Sequence, residues 1–561
     1  MKSMKRILAV LLVAILMMTL TVTAFAANET YTITINKDAS DKAGHTYSAF
    51  QLFKGDLAER DGKKVLSNVS WGDNVTSATF ITELKKIAAF QDLADDATAA
   101  TVAKAISDAN LADNSAEAKA LAEAFNKALT GDPKGSIVVA ADAASGQITG
   151  LPAGYYLVKD TVDVDGNGAE TRYIMEVVSN VTVTEKASVP SVDKTVKEKN
   201  DTTGTETVQK AADYDIGDAV PFVFTGTLPS NFADYKTFKT YTFTDTLSAG
   251  LTAPGADDIK VTLNTENGTD LSTLFDVAVN GQTITVSLKE DVDLKTAEPG
   301  FTKDSKIVVS YSAVLNKSAK IGSEGNDNKV KLEFSNNPNA DGGGDTGTTP
   351  EDKVVVFTYG IKALKVEPTS DEAIDETAYN ALTDEEKTDY VKVGDKYQKT
   401  QPLSGAGFTL YKKVPAGTEG AVDGYVQVGG EITGVTAFEF KGTDAGEYKL
   451  VETTVPTGYN KADDILFTIM ATYDTTGDDP KLTSLTVTPA ASFTLTVTEN
   501  KDAEDNVTSI TTDGVATTRI LNQKGATLPS TGGIGTTIFY VVGGLLALGA
   551  AIMLIAKKRI G

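Results

Sequence analysis

Six polar residues stand where the alternation of a β-strand would bury them. In Val192-Asp193-Lys194-Thr195-Val196 the lysine shares a face with Val192 and Val196, and in Tyr241-Thr242-Phe243-Thr244-Asp245 the aspartate shares one with Tyr241 and Phe243. Asn336 follows Val330, Leu332 and Phe334 on one face of a third run. A second set lies farther along: Lys365 follows Tyr359, Ile361 and Ala363, Glu452 aligns with Tyr448 and Leu450, and Asn522 with Ile520. For the Lys365 run the other register, with Lys362 on the face of Leu364 and Val366, is also open. A buried, unpaired lysine is costly while charged, so desolvation drives it toward the neutral amine, and the same surroundings drive a carboxyl toward its neutral acid. A neutral amine is a nucleophile, and a protonated Asp or Glu can donate to a carboxamide oxygen and shuttle a proton. The same residue types also make a plain buried salt bridge beside an asparagine, and parity alone does not separate the two.

Little else in the chain could do chemistry. Among 561 residues there is no Cys and one His, His45, which removes thiolate catalysis, disulfides and Cys-ligated metals and leaves Ser-His-Asp catalysis or a His-rich metal site almost without material. Asp163-Val164-Asp165-Gly166-Asn167-Gly168 imitates the start of an EF-hand loop, but its twelfth position is Ile174, so a hairpin turn is expected and no metal. His45 and Trp71 read as core or rim residues, and no cofactor is expected. A formal charge of −24 repels phosphate backbones and argues against a nucleic-acid partner. The length predicts about three to five domains.

The elements that must position these residues are mostly strands. Tyr31-Thr32-Ile33-Thr34-Ile35 alternates, whereas Leu84 with Ile87, and Leu121 with Phe125 and Leu129, recur at helical spacing around Phe80–Phe90 and Ala116–Leu129. The first domain, 28–190, is thus expected to carry helices among its strands. Blocks 191–349 and 350–526 hold short Val/Thr/Ile/Phe runs broken by Gly, Asn, Asp and Pro, the pattern of β-sandwiches. The joints are read at Ser188-Val189-Pro190 and across Asn336 to Asp352, where turn formers crowd. The fold class is mainly β, in tandem sandwiches.

The ends carry targeting signals. Residues 1–27 read as a secretory signal: Lys2, Lys5 and Arg6, an apolar run from Ile7, then Ala24-Phe25-Ala26. Within 527–561, Thr537 to Ala556 is long enough as a helix to span a bilayer and is stopped by Lys557-Lys558-Arg559, which marks the cytoplasmic side. Leu528-Pro529-Ser530-Thr531-Gly532 lies just upstream. The ordered trio of pentapeptide, span and basic tail resembles the sorting signal of Gram-positive surface proteins read by sortase transpeptidases. The resemblance implies cleavage after Thr531, transfer of Thr531 to an amine, and an extracellular, wall-anchored product.

Lys365-Val366-Glu367 with Leu403-Ser404-Gly405-Ala406-Gly407-Phe408, Tyr448-Lys449-Leu450-Val451-Glu452-Thr453 with Gly458-Tyr459-Asn460, and Ile520-Leu521-Asn522 resemble an immunoglobulin-like pilin domain of the CnaB type, the middle segment being its E-box. With the parallel set in 191–349, of CnaA/CnaB type, and the two ends, the chain resembles the major backbone pilins of the SpaA/SpaH type. That resemblance implies autocatalytic isopeptide bonds Lys194–Asn336, assisted by Asp245, and Lys365–Asn522, assisted by Glu452, with Asn337 as an alternative to Asn336. It further implies head-to-tail polymerisation by sortase through Thr531 and an acceptor lysine. Val181-Thr182-Val183-Thr184-Glu185-Lys186 turns Lys186 outward, with Thr184-Glu185 where the family has Tyr-Pro. Lys186 is the expected acceptor; Lys194, Lys197 and Lys199 are others. In the first domain Gly154-Tyr155-Tyr156-Leu157-Val158-Lys159-Asp160 resembles an E-box with Asp for Glu, without clear Lys and Asn partners. The expected role is structural and adhesive, not enzymatic, with sortase, further copies of the chain, peptidoglycan and minor pilins as partners. The competing reading is a monomeric wall-anchored adhesin.

Overall fold

The computed structural model describes residues 29–525, apart from short breaks at 39–40, 61–62, 113–114, 163–167, 171–173, 178–179, 186–187 and 342–343, and the helix Ile534–Ile560. The expected signal 1–27, the sortase pentapeptide Leu528, Pro529, Ser530, Thr531 and Gly532, and Lys186 lie outside the described residues. The apolar run Thr537–Ala556 falls within the terminal helix, whose side chains are described only over 540–553. Among the described residues no helix is long and apolar enough to cross a membrane.

The first domain pairs a three-stranded sheet with a five-stranded one. In the smaller, Tyr31–Asn36 lies between Ser145–Leu151 and a parallel Val181–Thr184. In the larger, His45–Arg60 is paired with Lys63–Trp71, Gly135–Val139 and Gly154–Val162, and Ile174–Val177 adds an edge. Ile33, Ile35, Tyr47 and Tyr156 fill the space between. Three helices, Ser77–Leu84, Ala99–Ala109 and Ala116–Lys127, pack on the outer face through Phe80, Leu84, Val102, Ile106, Leu121 and Phe125. The helix expected around Phe80–Phe90 ends at Leu84 and resumes only as a single tight turn at Ala88–Phe90. Ala99–Ala109, which the sequence reading did not single out, is announced by Thr98, whose side chain accepts from the Thr101 N–H.

Two β-sandwiches follow. In the middle one, Val192–Lys199 pairs with Ala219–Thr227, which pairs with Lys306–Leu315. The facing sheet holds Tyr241–Leu247 beside Asn326–Ser335, and Asn326–Ser335 beside Asp352–Phe357. That last pairing moves the second joint. Asp352–Phe357, expected to open the last domain, belongs to the middle sheet, and the chain changes sandwich at Thr358. Composition marks the turns near Pro350 but does not say which sheet the next Val-rich strand will join. In the last sandwich Tyr359–Ile374 is flanked by Ala437–Thr443 and by a parallel Val515–Leu521, opposite a sheet containing Gly407–Lys413 and Gly446–Thr454.

The domains are docked as well as linked. Ala169, from the first domain, is packed into the middle core, and the Glu170 N–H donates to the Asn336 carbonyl at 2.7 Å. Lys119 pairs with Asp234 at 2.5 Å across the same joint.

Candidate isopeptide sites

Among the described residues three lysines are buried: Lys194, Lys365 and Lys412. Strand alternation puts each there, because Lys194 shares its face with Val196, Lys365 with Ile361 and Ala363, and Lys412 with Phe408 and Leu410. Their surroundings differ in ways that decide their chemistry.

Lys365 lies opposite Ile520 in the parallel pairing of the first and last strands of its domain, and the Asn522 N–H is anchored on the Val366 carbonyl at 2.9 Å. Lys365 Nζ is 2.5 Å from Asn522 Oδ1 and 2.9 Å from Glu452 Oε1. Asn522 Nδ2 donates to the same Glu452 oxygen at 2.9 Å, and the Ala462 N–H holds the other at 2.6 Å. All three side chains are buried, with the Phe408 ring beneath the amine. The register left open between Lys362 and Lys365 is thereby resolved, since Lys362 faces outward toward Glu439. Burial lowers the Lys365 pKa, against the pull of Glu452. Amine, carboxamide and carboxyl are therefore in mutual contact, the arrangement needed for attack on the Asn522 side-chain carbonyl carbon with Glu452 relaying protons.

In the middle domain Lys194 Nζ donates to Asp245 Oδ1 at 2.6 Å across the sandwich, within a cage of Phe222, Phe224 and Tyr311 rings. Burial lowers the lysine pKa and raises that of Asp245. Tyr311, absent from the sequence reading, donates its hydroxyl to Asp245 Oδ2 and lies 3.4 Å from Lys194 Nζ. Burial holds that phenol protonated.

The asparagine in this cluster is Asn328, not Asn336. Asn328 Nδ2 contacts the Tyr311 oxygen at 2.7 Å, and its carboxamide oxygen has no hydrogen-bond partner. Asn336 is brought to neither Lys194 nor Asp245. It lies at the joint with the first domain, and both its amide atoms are without hydrogen-bond partners. Asn337 is also elsewhere, its side chain accepting from the Asn339 N–H at 2.9 Å. Asn328 lies on the strand Asn326–Ser335 and Asn336 immediately after its end, at the same parity, so parity treats them alike. The antiparallel register separates them: Leu247 lies opposite Asn328 and Tyr241 opposite Phe334, which leaves Asn336 about 20 Å along the sheet from Asp245.

Lys412 is the contrast. It meets Asp201 at 2.5 Å, Asp215 at 2.7 Å and Asp444 at 2.8 Å, three carboxylates drawn from the middle and last domains. Burial opposes its charge, but those carboxylates raise its pKa and keep it an ammonium. It is an ion-pair hub at a joint, not a nucleophile. The joint holds more acid than this lysine balances: burial raises Glu198 to about 8, and raises Asp213 and Asp444. A carboxyl whose pKa is higher folded than unfolded stabilises the fold most below its ordinary value and loses that contribution as pH rises through the folded value. Calorimetry of the tandem middle and last domains should show melting that falls between about pH 5 and pH 8, with Glu198→Gln flattening the fall. A melting temperature that rises over that interval would contradict this assignment.

Of the other acceptor candidates, burial removes Lys194, and Lys197 is engaged with Glu266 at 2.9 Å. Asp160, on the E-box-like strand of the first domain, faces His45 at 2.8 Å.

Comparison with known proteins fits this architecture. Residues 216–338 match the family described as Gram-positive pilin backbone subunit 2, Cna-B-like domain; 389–481 match a prealbumin-like fold domain; and 520–560 match the LPXTG cell wall anchor motif. The chain is 28% identical over 268 residues to the trypsin-resistant surface T6 protein of Streptococcus pyogenes serotype M6, a match covering 45% of this chain and 48% of that protein. It thus spans about half the length of the curated relative it matches. Similar solved structures include the T6 backbone pilin of serotype M6 Streptococcus pyogenes, with a TM-score of 0.47 and 17% identity over 90% of this chain and 100% of that one. Another is the full-length major pilin SpaD of Corynebacterium diphtheriae, with a TM-score of 0.44 and 15% identity over 89% and 99%. The chain is a mainly β, cell-wall-anchored surface protein of the Gram-positive kind. More particularly, its middle domain matches that of a Gram-positive pilin backbone subunit, and its last a prealbumin-like fold domain.

Proposed function

We propose that the chain is the repeating subunit of a sortase-assembled pilus, its sandwiches closed by two self-formed isopeptide bonds, Lys194–Asn328 with Asp245 and Lys365–Asn522 with Glu452. In each, the neutral lysine amine attacks the carboxamide carbon, the acid passes a proton to the departing amide nitrogen and takes one from the amine, and ammonia leaves. The observation that carries the reading is the Lys365–Glu452–Asn522 contact, which joins the first and last strands of the domain next to the anchor motif. The chain acts on no external substrate in this reading. Sortase joins Thr531 of one copy to Lys186 of the next, in an open head-to-tail contact that extends without closing, and peptidoglycan receives the last copy.

The test is a cell-wall extract boiled in detergent. The wild-type chain is expected as a ladder of multimers, and Lys186→Ala as a monomer band alone. A wild-type monomer band would favour the single wall-anchored adhesin, and a ladder that persists in Lys186→Ala would move the acceptor elsewhere.

A further inference from the structure

Among the described residues the first domain contributes none of the buried lysines, yet it gathers the chain's one histidine with four buried polar partners. We propose that Asp41, His45 and Glu185 form a binding site for one divalent transition-metal ion, Zn²⁺ being the best match, with Asp160 orienting the imidazole.

His45 opens the strand His45–Arg60 and is fully buried, with its ring stacked on Tyr47. Its Nδ1 meets Asp160 Oδ1 at 2.8 Å; burial opposes the charge, but Asp160 and Asp41 together favour the imidazolium, so a metal ion at Nε2 would take the place of a proton there while Nδ1 keeps its own. Nε2 lies 3.1 Å from Asp41 Oδ1 but makes no hydrogen bond. Two ligands of one tetrahedral zinc ion stand about 3.3 Å apart, given bond lengths of about 2.0 Å. The third group is Glu185, 4% exposed, whose Oε2 accepts from the Tyr47 hydroxyl at 2.5 Å while Oε1 has no partner. One ligand atom from each of Asp41, His45 and Glu185 lies within 4.8 Å of the other two. A cation held by Nε2, Asp41 and Glu185 would take over the role of the imidazolium proton and give the unpartnered Glu185 Oε1 a positive partner.

The supports around the site are those a metal centre needs. A ligating histidine commonly donates its second nitrogen to a carboxylate, which Asp160 supplies. The Ala43 N–H donates to Asp41 Oδ1 and the Ala169 N–H to Oδ2, each at 2.9 Å, and the Glu185 N–H donates to the Asn36 carbonyl at 2.9 Å. One imidazole with two carboxylates suits zinc better than calcium or magnesium, which take all-oxygen sets. The ion would tie the loop after Tyr31–Asn36 to the segment that follows Val181–Thr184, immediately before Lys186, and give this domain a long-range crosslink of another chemistry.

The test uses the secreted chain from Asn28 to Thr531, stripped with a chelator, dialysed against zinc chloride and assayed for bound metal. One zinc per chain is expected, with a rise in the first melting transition. Asp41→Asn and Glu185→Gln should each lower affinity at least tenfold while the chain keeps its circular dichroism, and Asp160→Asn should lower it by about 10–100-fold. Cobalt substitution should give a visible absorption band lost in Glu185→Gln. A folded wild-type chain that retains no zinc, or variants that retain as much as the wild type, would overturn the site.

Discussion

Asn328→Ala lowers the stability of the middle domain by about 5 kcal/mol, whereas Asn336→Ala changes it by less than about 1 kcal/mol. The first figure is the loop-closure entropy that a covalent link between Lys194 and Asn328 withdraws from the unfolded chain, estimated as for a disulfide closing a loop of roughly 130 residues. The buried Lys194–Asp245 pair survives the substitution, so little else is lost in the folded state. Asn336 contributes no link, and its carboxamide is buried without a hydrogen bond, so removing it leaves no new orphaned group. Asp245→Ala is worse than Asn328→Ala, because it prevents the bond and also strands a buried amine. Denaturant unfolding of the three variants checks the order. Equal losses for the two asparagines would remove Asn328 from its proposed role.

Pulled from its ends, the middle and last domains yield only between the two crosslinks. The chain contains no cysteine, so thiol handles introduced by Ser188→Cys and Thr531→Cys are clean attachment points. Force entering near Ser188 crosses from Lys194 to Asn328, runs along the backbone to Lys365, and crosses again to Asn522. The stretch from Asn328 to Lys365 is the one long part of that path held by sheet hydrogen bonds alone, through Asn326–Ser335 and Asp352–Phe357. Stretched out, it adds on the order of 10 nm of contour, at about 3.4 Å per residue. Lys194→Ala releases the whole middle sandwich and lengthens the step several-fold. A wild-type trace with the long step, or the same short step in Lys194→Ala, would contradict this load path. The stretch exists because two further strands of the same sheet, Thr346–Thr348 and Asp352–Phe357, follow the one that carries the linked asparagine, so the link does not span the domain from end to end.

Much of this arrangement is legible in period-two alternation. It is enough to turn Lys194, Asp245, Glu452 and Asn522 inward, because a strand that buries Val196 or Leu450 must bury the polar neighbour on the same face; for the Lys365 run it leaves two registers, and pairing with Val515–Leu521 decides between them. The same rule covers Lys412, flanked by Phe408 and Leu410, which the sequence reading passed over. Alternation fails where two residues share a parity, since Asn328 and Asn336 differ only in position along the chain, and only the pairing register with Tyr241–Leu247 distinguishes them. Tyr311 left no signal beyond that of a core aromatic, because the value of its hydroxyl depends on Asp245 and Lys194 arriving from other strands. His45 read as a core or rim residue, and it is buried. What the sequence did not announce is that Asp41, Asp160 and Glu185, far apart in the chain, close around it.

The most direct measurement is the intact mass of the secreted chain from Asn28 to Thr531, produced without sortase. It should fall short of its formula by two ammonia molecules, one restored in Asn328→Ala and the other in Asn522→Ala after allowance for the substitution itself, with no change in the deficit for Asn336→Ala. A chain that weighs what its unmodified formula requires would contradict the account.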